Sequence, residues 1–288
     1  MTKFIYISDT HFGANPMNYH QQEGYPEKLP EIILKLNEFI KNRDDIDFVL
    51  HGGDMIDSVS EQTISMASKY FKFDVPIYLC LGNHDLTELN SLDLWLKIAP
   101  QYFNDTNKPI FTITTKDCLI HVIPNHWEEI PYYWSETQEA YLSEEQINNL
   151  SHELNKSTDF PHIVLTHSPI FGLPTEQTGQ EEIYHSPNEN FRKTLTSLAQ
   201  NHKTIKCILG GHNHLNMNLK HENVQYVTAS SFSEAPFDFK LFEVSKNSIT
   251  METINLADSL DFNIEYNSEK SYVQGRPIDR KFAINFDL

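Results

Sequence analysis

The chain has 288 residues, 39% of them hydrophobic and 22% charged, with three cysteines and a formal net charge of −18. That length can bury a core without disulfides, and no apolar stretch is long enough to cross a bilayer, so membrane and disordered classes are set aside. The 22 Lys and Arg are scattered without a basic run. Duplex nucleic acid would meet general repulsion, and a small phosphorylated substrate held at a local positive centre is the expected partner.

Strand-like runs are read at 4–7, 48–50, 77–81, 119–123, 163–165, 205–209 and 224–228, with helical pattern at 30–41, 61–71, 143–155 and 190–201. This is an α/β order. The first run begins almost at the initiator Met and leads straight to Asp9, which leaves no room for a removable leader and makes the cytoplasm the expected location. Ser143 followed by Gln146 predicts a capping box at a helix start, which ends the preceding loop, 125–142. That loop holds Trp127, Tyr132, Tyr133, Trp134 and Tyr141, and a second long connection spans 171–189; both are candidates for the rim of a site. Cys80, Cys118 and Cys207 each sit in an apolar run and are read as buried thiols. From about residue 255 the strand pattern stops. The expected division is a catalytic domain over 1–254 and a C-terminal extension over 255–288, which could wrap the domain, pair with another subunit or be partly loose.

Chemistry concentrates in five short segments: Asp9-Thr10-His11, Gly53-Asp54-Met55-Ile56-Asp57, Gly82-Asn83-His84-Asp85, Thr166-His167-Ser168-Pro169 and Gly211-His212-Asn213-His214. Each directly follows a strand-like run, and loops at the carboxyl ends of strands in open α/β sheets are where ligands bind. Imidazole, carboxylate and amide oxygen together suit Mn, Fe or Zn, whereas calcium prefers an all-oxygen shell. Six of the ten glycines lie within two residues of a proposed ligand, where a chain must turn sharply or approach closely.

Taken in order, these segments resemble the calcineurin-like metallophosphoesterase superfamily, from Asp9 through His214 and on to about Thr253. The resemblance implies a four-layer α/β/β/α sandwich of two mixed sheets with helices on the outer faces. It implies two metal ions, one held by Asp9, His11, Asp54 and His214 and the other by Asp54, Asn83, His167 and His212, with Asp54 bridging. Two divalent ions bring +4, and Asp9, Asp54 and a bridging hydroxide bring −3, so the centre is left near +1 and can attract phosphate despite the acidic chain. His84 is the expected general acid or hydrogen-bond donor to the phosphate. Asp57 is expected either to orient that imidazole or to cap a helix, and Asp85 to brace the loop.

Among relatives, the cyclic-nucleotide and glycerophosphodiester branch is the most similar in its Gly-Asn-His-Asp and Gly-His-Asn-His motifs, which implies hydrolysis of a small phosphodiester. The chain departs from that branch at Thr166-His167, where two consecutive histidines are common. A phosphomonoesterase acting on a nucleotide, sugar phosphate or phosphoprotein, and a non-catalytic scaffold, are the competing readings. His126 and Trp127, which open the aromatic loop, are the expected substrate contacts; the other eight histidines outside the motifs are read as structural or surface residues.

Overall fold

A computed structural model describes residues 1–287. The first half of the chain runs β1 (Thr2–Ile7), α1 (Leu29–Lys41), β2 (Phe48–His51), α2 (Glu61–Tyr70), β3 (Ile77–Leu79), α3 (Ser91–Ile98), β4 (Phe111–Thr114), β5 (Leu119–Val122) and α4 (Glu144–Lys156). The second half adds β6 (His162–Leu165), α5 (Thr175–Thr178), α6 (Glu189–Asn201), β7 (Ile205–Gly210), β8 (Met217–His221) and β9 (Val224–Thr228). It closes with β10 (Asp238–Ser245), β11 (Ser248–Asn255), α7 (Pro277–Arg280) and β12 (Lys281–Asn285).

Two mixed six-stranded sheets form the sandwich, ordered β12-β11-β10-β1-β2-β3 and β4-β5-β6-β7-β9-β8. In the first, β1, β2 and β3 are parallel; in the second, β5, β6, β7 and β9 are parallel. The parallel strands are apolar and buried nearly throughout, as strands covered on both faces must be, and residues from both sheets join one core with the inner faces of the helices. Helix α1 shows the logic: Leu29, Ile32, Ile33, Leu36 and Ile40 fall on one stripe and are buried. The expected capping box of α4 is present, with Ser143 and Gln146 satisfying each other's backbone N–H groups. All three cysteines are buried thiols.

Helices α3, α5 and α7 and strands β4, β8, β10 and β11 have no counterpart among the runs read from the sequence. The end of strand pattern expected near residue 255 also needs correction, because β12 pairs antiparallel with β11 over Lys281–Asn285. Its residues do alternate, with Phe282 and Ile284 half-buried between exposed neighbours, but five residues carry too little pattern to stand out.

The sheets meet at their centres. Tyr6 on β1 donates its hydroxyl to the Gly210 carbonyl at the end of β7, 2.9 Å away. This brings the carboxyl ends of β1, β2 and β3 beside those of β6 and β7, and all five motif segments leave the sheets at this edge. Among the described residues no helix is long and apolar enough to cross a membrane.

Candidate metal centre

The seven expected ligands converge from five loops. Asp9, His11 and His214 form one group whose ligand atoms lie within 4.8 Å of one another, and Asp54, His167 and His212 form a second. In the first, His11 Nε2 and His214 Nε2 are 3.0 Å apart, with Asp9 Oδ1 3.6 Å from His214 Nε2. In the second, His167 Nε2 lies 3.1 Å from Asp54 Oδ2, and Asn83 Oδ1 lies 3.0 Å from His212 Nδ1. Asp54 stands between the groups, since the same Oδ2 is 3.7 Å from His11 Nε2.

Backbone strain marks the same residues. Asp9, His11, Asp54, His212 and His214 all have φ between 44° and 71°, five of the twelve non-glycine residues in the left-handed region among the described residues. Such conformations cost about 1–3 kcal/mol each and persist only where surrounding contacts enforce them. Here the enforcing contacts are specific: Asp9 N–H donates to Gly53 O, His11 N–H to Asp54 O, and His212 N–H to the Asp9 carboxylate, each at 2.9 Å. The nearby glycines serve mainly close approach. A Cβ on Gly82 would stand 2.2 Å from Asp54 Oδ1, and one on Gly211 would stand 2.4 Å from Asp9 Oδ2.

The donor set fits divalent metals on an observation independent of its motifs. His167 Nδ1 donates to the Gly52 carbonyl at 2.9 Å, which turns Nε2 into the cluster, where it is fully buried without an aligned hydrogen-bond partner. A buried, unsatisfied imidazole nitrogen is costly unless something occupies its lone pair. Electrostatics agree. Burial pushes His11 and His212 down, His212 to about 3. Burial also opposes charge on His167 and His214, but the adjacent carboxylates, Asp54 for the first and Glu234 for the second, outweigh it and raise both to about 9. The carboxylates therefore favour positive charge beside His167 and His214, while burial favours the neutral form of His11 and His212.

Around the ligands, Asp85 braces two loops: its buried carboxylate accepts from Gly82, Met55 and Ile56 N–H at 3.0–3.2 Å. His84 Nδ1 donates to the Asp57 backbone carbonyl at 2.8 Å, while the Asp57 carboxylate is 3.6 Å away. Asp57 is not a helix cap, since Ser60 caps α2.

A cleft of about 690 Å³ opens over the centre, lined by His11, Asp54, Asn83, His84, His212 and His214 on its floor. The two long loops supply walls, with Trp134 and Gln138 from one and Tyr184 and His185 from the other, and Tyr19 comes from the loop after β1. His126 and Trp127, expected at the substrate, are not among its lining. They are 4% and 3% exposed, and Trp127 packs its ring 4.9 Å from that of His212, behind the ligands. From that loop Trp134 lines the cleft instead, its ring centroid 5.0 Å from that of His84. Sequence reasoning also missed Glu234, whose carboxylate lies 2.6 Å from His214 Nδ1; a lone acid in the Ser-rich stretch Ala229–Phe237 was its only signal.

Comparison with known proteins agrees with this architecture. No curated protein matches the chain. A dimetal phosphatase from Danio rerio has a similar fold at 13% identity and a TM-score of 0.66, covering 99% of both chains. GAP50, the anchor in the inner membrane complex of Plasmodium, is similar at 14% identity and 0.61, over 93% of this chain and 90% of that one. The NAD nucleotidase of Haemophilus influenzae is similar at 15% identity and 0.50, over 87% of this chain and 47% of that one. At these identities the likeness establishes the fold alone. The family described as calcineurin-like phosphoesterase matches residues 2–216, three quarters of the chain, and with two mixed sheets and clustered His and Asp side chains at their shared edge, this chain belongs to that family of metallophosphoesterase hydrolases.

Proposed function

We propose that the chain hydrolyses a small phosphodiester, of cyclic-nucleotide or glycerophosphodiester type, at a centre of two divalent metal ions. Asp9, His11 and His214 would hold one ion, Asn83, His167 and His212 the other, and Asp54 both. When bound, the ions would lower the pKa of a water molecule and hold the phosphate oxygens.

The observation that carries the diester reading is the charge of the cleft. Among the described residues no Lys or Arg lines it, and Asp57 adds a carboxylate. The ions and their ligands come to near +1 and Asp57 draws on that charge, so a monoanionic diester leaves less uncompensated charge in a partly enclosed site than a dianionic monoester does.

The remaining groups complete a reaction in which water oxygen joins phosphorus and the ester oxygen leaves. His84, held through Nδ1 by the Asp57 carbonyl, has Nε2 free to carry a proton to the departing oxygen. Trp134 beside it offers a flat face to the substituent of the ester, and Tyr19 and Tyr184 line the opposite portions of the cleft.

Metal-reconstituted protein assayed on bis(p-nitrophenyl) phosphate and on p-nitrophenyl phosphate tests this reading. Faster turnover of the diester is expected. Preference for the monoester would make the chain a phosphomonoesterase, and no turnover of either by the metal-loaded protein would favour a scaffold.

A further inference from the structure

We propose that Glu234 is a positioning residue for His214, and that the segment 267–280 holds it in place, so that the C-terminal extension is a working part of the metal centre. The inference rests on the metal reading above. Glu234 is 1% exposed and uses both carboxylate oxygens: Oε1 accepts from His214 Nδ1 at 2.6 Å, and Oε2 accepts the Gln22 backbone N–H at 2.8 Å. With Nδ1 committed, the ligand atom of His214 is Nε2, the nitrogen that faces Asp9 and His11. A carboxylate behind an imidazole fixes its tautomer and ring angle and strengthens it as a metal ligand. The other proposed histidine ligands are held differently. His167 Nδ1 is bound by a neutral carbonyl, His11 Nδ1 is 3.7 Å from Asp57 Oδ1, and His212 turns Nδ1 itself toward Asn83.

Glu234 is gripped in turn from the C-terminal segment. The Gln22 side chain accepts from Asn267 N–H at 2.9 Å and donates to the Asn267 and Lys270 carbonyls, both at 3.0 Å. Backbone pairs Tyr25 N–H to Ser233 O at 2.8 Å and Ala235 N–H to Glu23 O at 3.0 Å clamp the Gln22 and Glu234 strips together.

The other flank of His214 is held from the same segment. Asn216 donates its N–H to Val273 O at 2.9 Å and its amide to Asp238 Oδ2 at 2.7 Å, and Arg280 binds both oxygens of that Asp238 at 2.7 and 3.1 Å. Gly275 packs so closely that a Cβ there would stand 2.9 Å from the Asn216 carbonyl. Glu234, Asp238, Asn267, Lys270, Val273 and Arg280 all lie beyond residue 216, where the family match ends. This end of the centre is thus completed by chain that lies beyond the family match.

Calorimetric titration of Mn²⁺ into metal-free, full-length protein tests the proposal, with wild type, Glu234→Gln, Glu234→Asp and Gln22→Ala compared and a cooperative thermal transition required of each. Wild type is expected to bind two ions. Glu234→Gln should lose about 10–100-fold in affinity for one ion and leave the other unchanged. Glu234→Asp, which keeps the charge but not the reach, should fall between, and Gln22→Ala should show a smaller loss at the same ion. If Glu234→Gln does not fold, the Glu234→Asp and Gln22→Ala titrations decide. Unchanged affinity at both ions, or equal loss at both, overturns the positioning role. Loss in Glu234→Gln without any in Gln22→Ala overturns the part given to the C-terminal segment. A wild type that binds no Mn²⁺ overturns the metal reading itself, a result distinct from two-ion binding with unaffected variants.

Discussion

His11 Nε2 and His214 Nε2 stand 3.0 Å apart although 203 residues separate them in the chain. An N–H···N hydrogen bond spans this gap in the metal-free protein, and a bound cation would take the place of its proton. Treatment with a chelator should therefore leave a less stable protein, and reconstitution should restore close to two transition metals per chain by elemental analysis. An ion at 100 times its dissociation constant adds about 2.7 kcal/mol per site, which in a chain this size raises Tm by roughly 5–10 °C. A metal-free protein whose Tm does not move on adding Mn²⁺, Zn²⁺ or Fe²⁺ would count against the centre.

Asp54 and Asn83 should separate when each is truncated. Asp54 touches both groups, so Asp54→Ala should weaken both ions. Asn83 reaches only the His212 side, 3.0 Å from Nδ1, so Asn83→Ala should weaken one ion and leave the group of Asp9, His11 and His214 occupied. Equal loss of both ions from Asn83→Ala would mean that the two sites are assigned wrongly.

The clustering of the candidate ligands was legible because each motif directly follows an apolar strand, and parallel strands deliver their carboxyl ends to one edge. Strand Val224–Thr228 was read with its observed bounds, and Ser143 capped its helix as its spacing implied. What could not be read was tertiary. The left-handed φ at Asp9 and His11 is imposed by bonds from other loops, so nothing local announces it. Glu234 follows His214 by twenty residues with no motif spacing. Which aromatic residue of 125–142 reaches the cleft depends on two contacts, the His126–Tyr141 bridge and the Trp134 N–H bond to Leu86 O at 2.8 Å; together they turn Trp127 inward and Trp134 to the cleft.

Those two tryptophans should therefore behave differently. Trp134→Ala should raise KM for a bulky diester by several-fold with little change in kcat, and barely affect a small synthetic diester, since it removes a wall of the cleft and no ligand support. Trp127→Ala empties buried space against His212, a loss of about 3–5 kcal/mol in stability for a large core aromatic, and should weaken metal binding for every substrate alike. Chemical denaturation and paired kinetics on two substrates check both; identical kinetic profiles for the two variants would refute the distinction.

Lys240 is fully buried on β10, with Nζ donating to Asn216 Oδ1 at 2.8 Å and Thr253 Oγ1 at 3.2 Å. Burial lowers its pKa to about 7, with nearby Asp238 opposing and Arg280 reinforcing the shift. Because the unfolded chain holds this proton more tightly, stability should rise with pH between about 7 and 10.5, with the cost complete below that window. One such group gives a slope approaching about 1.4 kcal/mol per pH unit. Lys240→Met removes that term, so the stability of wild type relative to the variant should grow steadily in denaturant titrations from pH 7 to pH 10. A constant difference across that range would show that the lysine does not titrate there.

His84→Ala should leave metal binding intact and slow turnover most where the leaving group is poor. His84 contributes no atom to either group of Asp9, His11 and His214 or Asp54, His167 and His212, though it lies with His11 and Asp57 in a third set of neighbouring groups, and its ring lines the cleft beside Trp134. An alkoxide needs a proton to depart, whereas p-nitrophenolate is a stable anion and leaves without one. General acid catalysis is worth about 10²–10⁴-fold, so the defect should approach that size for an alkyl diester and be far smaller for the activated one. The part of Asp57 differs from a carboxylate dyad, because His84 Nδ1 bonds its backbone carbonyl at 2.8 Å and stands 3.6 Å from its carboxylate. Asp57→Asn preserves that carbonyl and should cost less than about tenfold on either substrate, well short of a lost general acid. Comparing both leaving groups at saturating metal decides the matter. Equal losses in His84→Ala would reassign the residue to phosphate binding, and loss of a metal ion would make it a support of the ligand shell.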